Sequence, residues 1–347
     1  ISKRQGLPNG LPIPAACGME HYMDGPNVHK YLREFRQVLN EYDCFVVGEA
    51  PMMNEKNALR YITEGPKQEL DMMFHFEHME ADCLFTDVFQ KPFDLLKLKK
   101  AFSKWQYALN GKGWNALYLE NHDHPRIISR YGSEEYRVVS GKMLANCYML
   151  QQGTPFIYQG QEIGMTNWRP EDPEMYEDVQ TRYTYAHSNL KKSPAVRLQK
   201  MWRSSRDSAR TPVQWDDTPN AGFTTSENPW FHVNPNYVDI NVAQQEEDPD
   251  SILNFYRKAV GLRKSLSCVR HGEYKEYFHN SDKFYMYSME DDAQKILVVC
   301  SFHEKDLKFP PPKGFDMDAA KLILCNYAQS KRNTLKPYEC KVYLWKK

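Results

Sequence analysis

Residues 114–126 read WNALYLENHDHPR. Ala116, Leu117, Tyr118 and Leu119 form an almost unbroken apolar run, the pattern of a parallel strand buried on both faces. The run stops abruptly at Glu120, Asn121, His122, Asp123 and His124. Pro125 biases the backbone before it away from helix. In α/β sheets and α/β barrels, ligands bind beyond the carboxyl ends of the strands. Carboxylates and imidazoles clustered there therefore point to a site. The plainer alternative is a solvated loop with a charged tip.

Three further strands are expected on either side of this one. Residues 44–47 form a short apolar run ending in Gly48-Glu49-Ala50-Pro51. Residues 72–76 form a second, with His75, Glu77 and His78 around its end. Residues 154–158 form a third, running out into Gln159-Gly160-Gln161-Glu162. Helical periodicity lies between them. Val28, Tyr31, Leu32, Phe35, Val38, Leu39 and Tyr42 recur at three and four, and further helices are expected over 54–63, 95–109 and 134–151. Strands near 45, 74, 117 and 156 alternating with helices argue for a parallel sheet with right-handed crossovers. From about 165 to 250 the pattern dissolves into a polar insert, of the kind that builds a rim or lid. A last helix starts at Asp248-Pro249-Asp250. After about 268 the period shortens to two, over 283–289, 296–302, 322–327 and 342–345. The expected division is therefore 1–265, with the insert, and a β-sandwich-like antiparallel domain over 266–347.

The 45 basic and 45 acidic residues cancel, so no broad positive field invites nucleic acid. No run approaches the roughly 18 apolar residues of a membrane span. Eight cysteines are scattered without a CxxC pair. They are expected to be reduced thiols of a cytoplasmic protein. The sequence opens on Ile1-Ser2-Lys3, which looks like mid-loop, so the chain is expected to start inside a longer protein.

Glu49 and Asp123 end two parallel strands, which brings them to one rim. Paired carboxylates across a cleft are the working parts of glycoside hydrolysis. One must keep a proton for the leaving oxygen, which needs burial or a negative neighbour. Glu49, behind Phe45-Val46-Val47, suits that role best. A helix cap or surface ion pair is the structural alternative for it. His122 could donate to a sugar hydroxyl or simply brace the loop. His75, His78, His122 and His124 match no strong zinc spacing, so no metal is expected. No phosphate loop, GxSxG elbow or dinucleotide fingerprint is present.

FVVGEAP (45–51), LYLENHDHPR (117–126), GTPFIYQGQEIGMTN (153–167) and SRDSARTPVQWDD (205–217), with NAGFTT and NPW after them, closely resemble glycoside hydrolase family 13. The nearest branch holds oligo-1,6-glucosidases, α-glucosidases and trehalose-6-phosphate hydrolases. The resemblance implies a (β/α)8 TIM barrel of which this chain holds strands five to eight, followed by the antiparallel β domain. It implies that Glu49 is the proton donor and Asp123 the transition-state stabiliser. His122 would bind the glucose at the cleaved end, and Arg206 sugar hydroxyls or the nearby carboxylate. The family's aspartate nucleophile and first four barrel units lie before Ile1. The loop that binds calcium in some relatives lies there too, so no cofactor is expected on this chain. His124 stands where the family usually has glutamine. The implied activity is retaining hydrolysis of terminal α-linked glucose from short oligosaccharides, most of all α-1,6 links. Trehalose-6-phosphate hydrolysis and sucrose isomerase-type transglucosylation are the enzymatic alternatives. A non-catalytic amylase-like transporter subunit is the alternative of another class. The chain alone is expected to be inactive, with the N-terminal half supplied upstream or as another chain.

Overall fold

The computed structural model describes residues 24–84, 86–187 and 190–347. Most of the loop expected over 1–26, and Cys17, lie outside them. Helix α1 (Val28–Leu39) leads to strand β1 (Val47–Glu49), helix α2 (Glu55–Ile62) and strand β2 (Met72–Phe74). A hairpin of β3 (Cys83–Leu84) and β4 (Thr86–Gln90) follows. Then come helix α3 (Leu95–Leu109), strand β5 (Trp114–Leu117), helix α4 (Arg137–Met149) and strand β6 (Thr154–Pro155). Local chemistry explains the helix starts. Asn54 Oδ1 accepts from the Asn57 amide at 2.9 Å, and Asp94 Oδ1 accepts from Leu96 at 3.0 Å, each satisfying an otherwise orphaned donor.

The four expected strands form one parallel sheet in the order β1-β2-β5-β6. Glu49 pairs with Phe74 and Ala116 with Thr154. This is an open half of a barrel wall. The first expected strand is displaced: pairing begins at Val47 rather than at 44, so Glu49 is the strand's last residue. Gly153 enters β6 at φ +138°, and a Cβ there would lie 2.4 Å from the Asn115 carbonyl of β5. Only glycine fits so close a backbone approach.

The apolar face expected to bury α1 is covered only in part. Tyr31, Phe35 and Val38 are more than half exposed, as are Tyr42 and Phe45 beyond the helix. Periodicity gave the helix correctly, but only the Val28 and Leu32 edge of its apolar face packs, against the cluster of α2, β2 and α3.

The insert is more ordered than its sequence suggested. It holds helix α5 (Val179–His187) and helix α6 (Pro194–Ser204), the latter capped by Ser193 with proline in its first turn. Helix α7 (Ile252–Ser265) then returns to α4. The C-terminal part is a five-stranded antiparallel sheet. Its strands are β7 (Glu273–Tyr277), β8 (Phe284–Glu290), β9 (Gln294–Ser301), β11 (Lys321–Cys325) and β13 (Cys340–Lys346), in the order β11-β13-β9-β8-β7. A small pair, β10 (Leu307–Lys308) and β12 (Thr334–Leu335), lies beside it. Strand β7 was not anticipated, because EYKEY alternates without strong apolar residues.

One face of this sheet packs on the barrel half. Leu98 and Phe102 of α3, Leu144 and Tyr148 of α4, Phe255 of α7 and Tyr285, Val298 and Val342 of the sheet belong to a single core cluster. Lys99 is buried, and its Nζ donates to the carbonyls of Phe278 at 2.7 Å and Ser281 at 3.0 Å. The opposite face covers Phe309, Met317 and Leu335.

Candidate active site

The loop after β5 is fixed from below. Glu120 is buried, and burial pushes its carboxyl pKa up despite the Arg126 charge. Glu120 Oε2 accepts from Arg126 Nη1 at 3.1 Å, and Oε1 from the Ile127 amide at 2.8 Å. The buried Arg126 guanidinium also donates to the Gln159 carbonyl at 2.6 Å and the Ser208 carbonyl at 3.1 Å. One side chain thus ties the loop after β5, the loop after β6 and the insert together.

On that base, the Asp123 amide donates to Asn121 Oδ1 at 2.9 Å, a tight local turn. Asp123 Oδ1 accepts from Arg206 Nη1 at 3.1 Å and from Arg210 Nη2 at 3.0 Å. Its Oδ2 lies 3.6 Å from His122 Nε2. Arg206 is anchored in turn by the buried Asp178, through Nε at 3.1 Å and Nη2 at 2.5 Å. Burial acts against both charges. The hydrogen bonds between them outweigh it, holding Asp178 below and Arg206 above their ordinary values. Asp207 Oδ2 accepts from the amides of Glu177 and Asp178, at 2.7 and 3.0 Å, and so positions that anchor.

Glu49 is exposed at the end of β1, contrary to the burial expected for a proton donor. Its strand is at the sheet edge, with nothing beyond it among the described residues to shield it. Glu49 and His122 border one cavity of about 360 Å³ with Phe74, Tyr118 and Tyr158. Asp123 and Arg206 border a second, of about 220 Å³, with Asp87, His124 and Asp178. Of the four residues singled out in the sequence, Asp123 and Arg206 touch directly and His122 adjoins Asp123. No hydrogen bond joins Glu49 to them.

The four histidines do not gather. His75 and His78 are buried, and His75 stacks on Trp105 at 4.1 Å. His122 is exposed, and His124 Nδ1 lies 2.6 Å from Asp87 Oδ2. Among the described residues, one group of three metal-ligand types lies close together: Asp82, Cys83 and Asp87. Arg130 already supplies its positive charge, with Nη2 2.6 Å from Asp82 and 3.1 Å from Asp87.

Sequence reasoning missed Arg210, Asp178 and the Glu120–Arg126 pair. Arg210 had a readable signal: it follows Arg206 by four residues, one helical turn on, and a short turn over Asp207–Arg210 brings both to one carboxylate. Asp178 had none, being a polar residue in a polar insert.

Comparison with known proteins adds an independent line. The family described as alpha amylase, catalytic domain matches residues 1–272. The chain is 41% identical to the oligo-1,6-glucosidase of Parageobacillus thermoglucosidasius, covering 99% of this chain and 63% of that protein. It is 39% identical to the trehalose-6-phosphate hydrolase of Bacillus subtilis (strain 168), over 99% of this chain and 62% of that one. Among solved structures, the trehalose-6-phosphate hydrolase of Bacillus licheniformis superposes with a TM-score of 0.90 at 40% identity, covering 95% of this chain and 61% of that one. An isomaltulose synthase from Klebsiella sp. LX3 gives 0.86 at 32% identity, covering 94% and 60%. The chain thus spans a little under two thirds of the length of these relatives.

Proposed function

Since the chain belongs to the alpha-amylase family, we propose that it is the C-terminal part of a retaining α-glucosidase. Its substrate class is short oligosaccharides ending in α-linked glucose, with α-1,6 links first. The carrying observation is Asp123, at the carboxyl side of β5, gripped by Arg206 and Arg210 beside His122. A carboxylate fixed between two guanidiniums is a rigid negative group for the positive charge that develops at an anomeric carbon. Glu49, on a strand of the same parallel sheet, gives its proton to the leaving oxygen and then activates water. The attacking carboxylate comes from a preceding half-barrel, in the same polypeptide or as a second chain. Without it this chain forms no covalent intermediate and is inactive. No cofactor takes part on this chain, and any calcium belongs to the preceding half. We place the protein in the cytoplasm, where the seven described free cysteines would stay reduced.

The test is kinetic. The complete protein is assayed on isomaltose, maltose and trehalose-6-phosphate, with NMR of the first-formed anomer. The expected result is α-glucose from isomaltose, and a fall in kcat/KM of about 10³-fold in Glu49→Gln. No hydrolysis of any of the three by the complete protein would overturn the reading. A marked preference for trehalose-6-phosphate would move it to the second reading, which the TM-score of 0.90 with a hydrolase of that name supports.

A further inference from the structure

His124 has no part in the chemistry proposed above, yet it is held with care. It borders the same cavity of about 220 Å³ as Asp123 and Arg206. Its Nδ1 is 2.6 Å from Asp87 Oδ2, and the Phe76 ring lies 5.8 Å away, tilted against it. Asp87 is fixed from behind: its Oδ1 lies 3.1 Å from Nη2 of Arg130, whose guanidinium is buried and also grips Asp82. Burial alone would raise the Asp87 pKa, but the charge of Arg130 and the hydrogen bond with His124 hold it below the ordinary carboxylate value.

An ionised carboxylate can only accept hydrogen bonds, so the shared proton belongs to His124 Nδ1. In a neutral imidazole the other nitrogen, Nε2, then carries a bare lone pair. This is the arrangement by which a carboxylate fixes a histidine tautomer and ring orientation. The other charged groups of the cavity are already committed, since Asp123 and Asp178 are both paired with Arg206. A sugar offers hydroxyl donors, and a fixed acceptor recognises one of them.

We infer that His124, with its tautomer set by Asp87, presents Nε2 as a hydrogen-bond acceptor to a hydroxyl of the sugar bound beside Asp123. His124 is then a binding residue and Asp87 a positioning residue. The inference rests on the glycosidase reading, and the experiment separates the two. Isomaltose binding is measured by titration calorimetry at neutral pH on the complete protein, in a Glu49→Gln background that blocks turnover. The 15N spectrum of labelled histidine reports the tautomer, and thermal unfolding of each variant checks the fold.

The expected results are these. His124 Nε2 is unprotonated in the parent. His124→Phe weakens isomaltose binding about 5- to 10-fold. His124→Gln, whose amide oxygen accepts without any tautomer to fix, recovers most of that loss. Asp87→Asn weakens binding to a similar degree, because its amide can donate to Nδ1 and move the ring proton to Nε2. In the double variant Asp87→Asn/His124→Gln the penalty of the asparagine disappears. Binding by Asp87→Asn equal to the parent, or penalties that simply multiply in the double variant, would overturn the inference and leave the glycosidase reading standing. If Asp87→Asn fails to fold, equal binding by His124→Phe and the parent overturns it alone. A parent that binds none of isomaltose, maltose and trehalose-6-phosphate brings down both.

Discussion

Asp123 is held by two arginines that do different work, and that difference is measurable. Arg206 bonds both Asp123 and the buried Asp178, whereas Arg210 bonds Asp123 and the His122 carbonyl and stands 3.9 Å from Asp178. Arg206→Ala removes the two hydrogen bonds that a guanidinium gives the buried Asp178, leaving it Thr181 and the more distant Arg210, so urea unfolding should show a loss of about 2 kcal/mol. Arg210→Ala strands nothing buried; stability should change by less than about 1 kcal/mol, while kcat/KM of the complete enzyme falls about 100-fold. Equal stability losses in the two variants would contradict this division of labour. The buried histidines give a second outcome at this scale. Burial above all holds His75 well below 6.5 and His78 down to about 3. Both rings stay neutral in the fold, whereas in the unfolded chain they take up protons below 6.5. Their contribution is therefore complete above pH 6.5 and is lost as the pH falls, at about 1.4 kcal/mol per pH unit for each ring. Unfolding measured from pH 7 to 5 should show that slope, and His78→Phe should make it shallower. Glu49, His122 and Asp123 were legible in the sequence because polar residues follow apolar runs abruptly. Arg206 was read from its motif, but its partner Asp178 is 28 residues away in a stretch with no period at all.

Among the elements, local patterning identified what forms but not what covers it. The strands near 45, 74, 117 and 156 were readable because short apolar runs alternate with helical periods, and they pair in that order. Strand ends were less readable, since pairing depends on the neighbour: β1 starts at Val47 because that is where β2 meets it. Helix α6 was overlooked although Ser193-Pro194 is a sound start signal, because its apolar face, Leu198, Met201 and Trp202, is a short one inside a polar stretch. Helix α1 shows the converse case, a clear apolar face of which only the Val28 and Leu32 edge is packed. The tightest constraint at this scale is at the start of β6. Gly153→Ala must place a Cβ against the Asn115 carbonyl while keeping φ at +138°. Strained backbone of that kind costs about 1–3 kcal/mol, and displacing the neighbouring strand adds to it. Thermal unfolding should show a fall of several degrees. Gly261→Ala, on helix α7 with nothing within 4 Å of its added Cβ, should show none.

At the scale of the molecule, the two halves of the chain are unequally satisfied. The antiparallel sheet, α3, α4 and α7 share one continuous core, so that joint should unfold as a unit. On the other side, β1 and β6 end the parallel sheet without further partners among the described residues, and Tyr31, Phe35 and Val38 of α1 face outward. Open sheet edges beside an exposed apolar face promote association. A preceding half-barrel, as the family implies, would pair both edges and cover that face at once. The 347-residue chain by itself should therefore self-associate. Sedimentation velocity from about 1 to 50 µM should show mass rising with concentration, and Phe35→Glu with Val38→Glu should suppress the rise without altering the melting of the shared core. The complete protein, or this chain co-expressed with the preceding half, should sediment as a single species over the same range. There the same two glutamates should be damaging, because they would be buried unpaired at about 2–4 kcal/mol each. A monomeric chain at 50 µM, with the double glutamate variant harmless in both settings, would mean that the face and edges are already satisfied. The site around Asp123 would then have to be complete without a further half of the barrel.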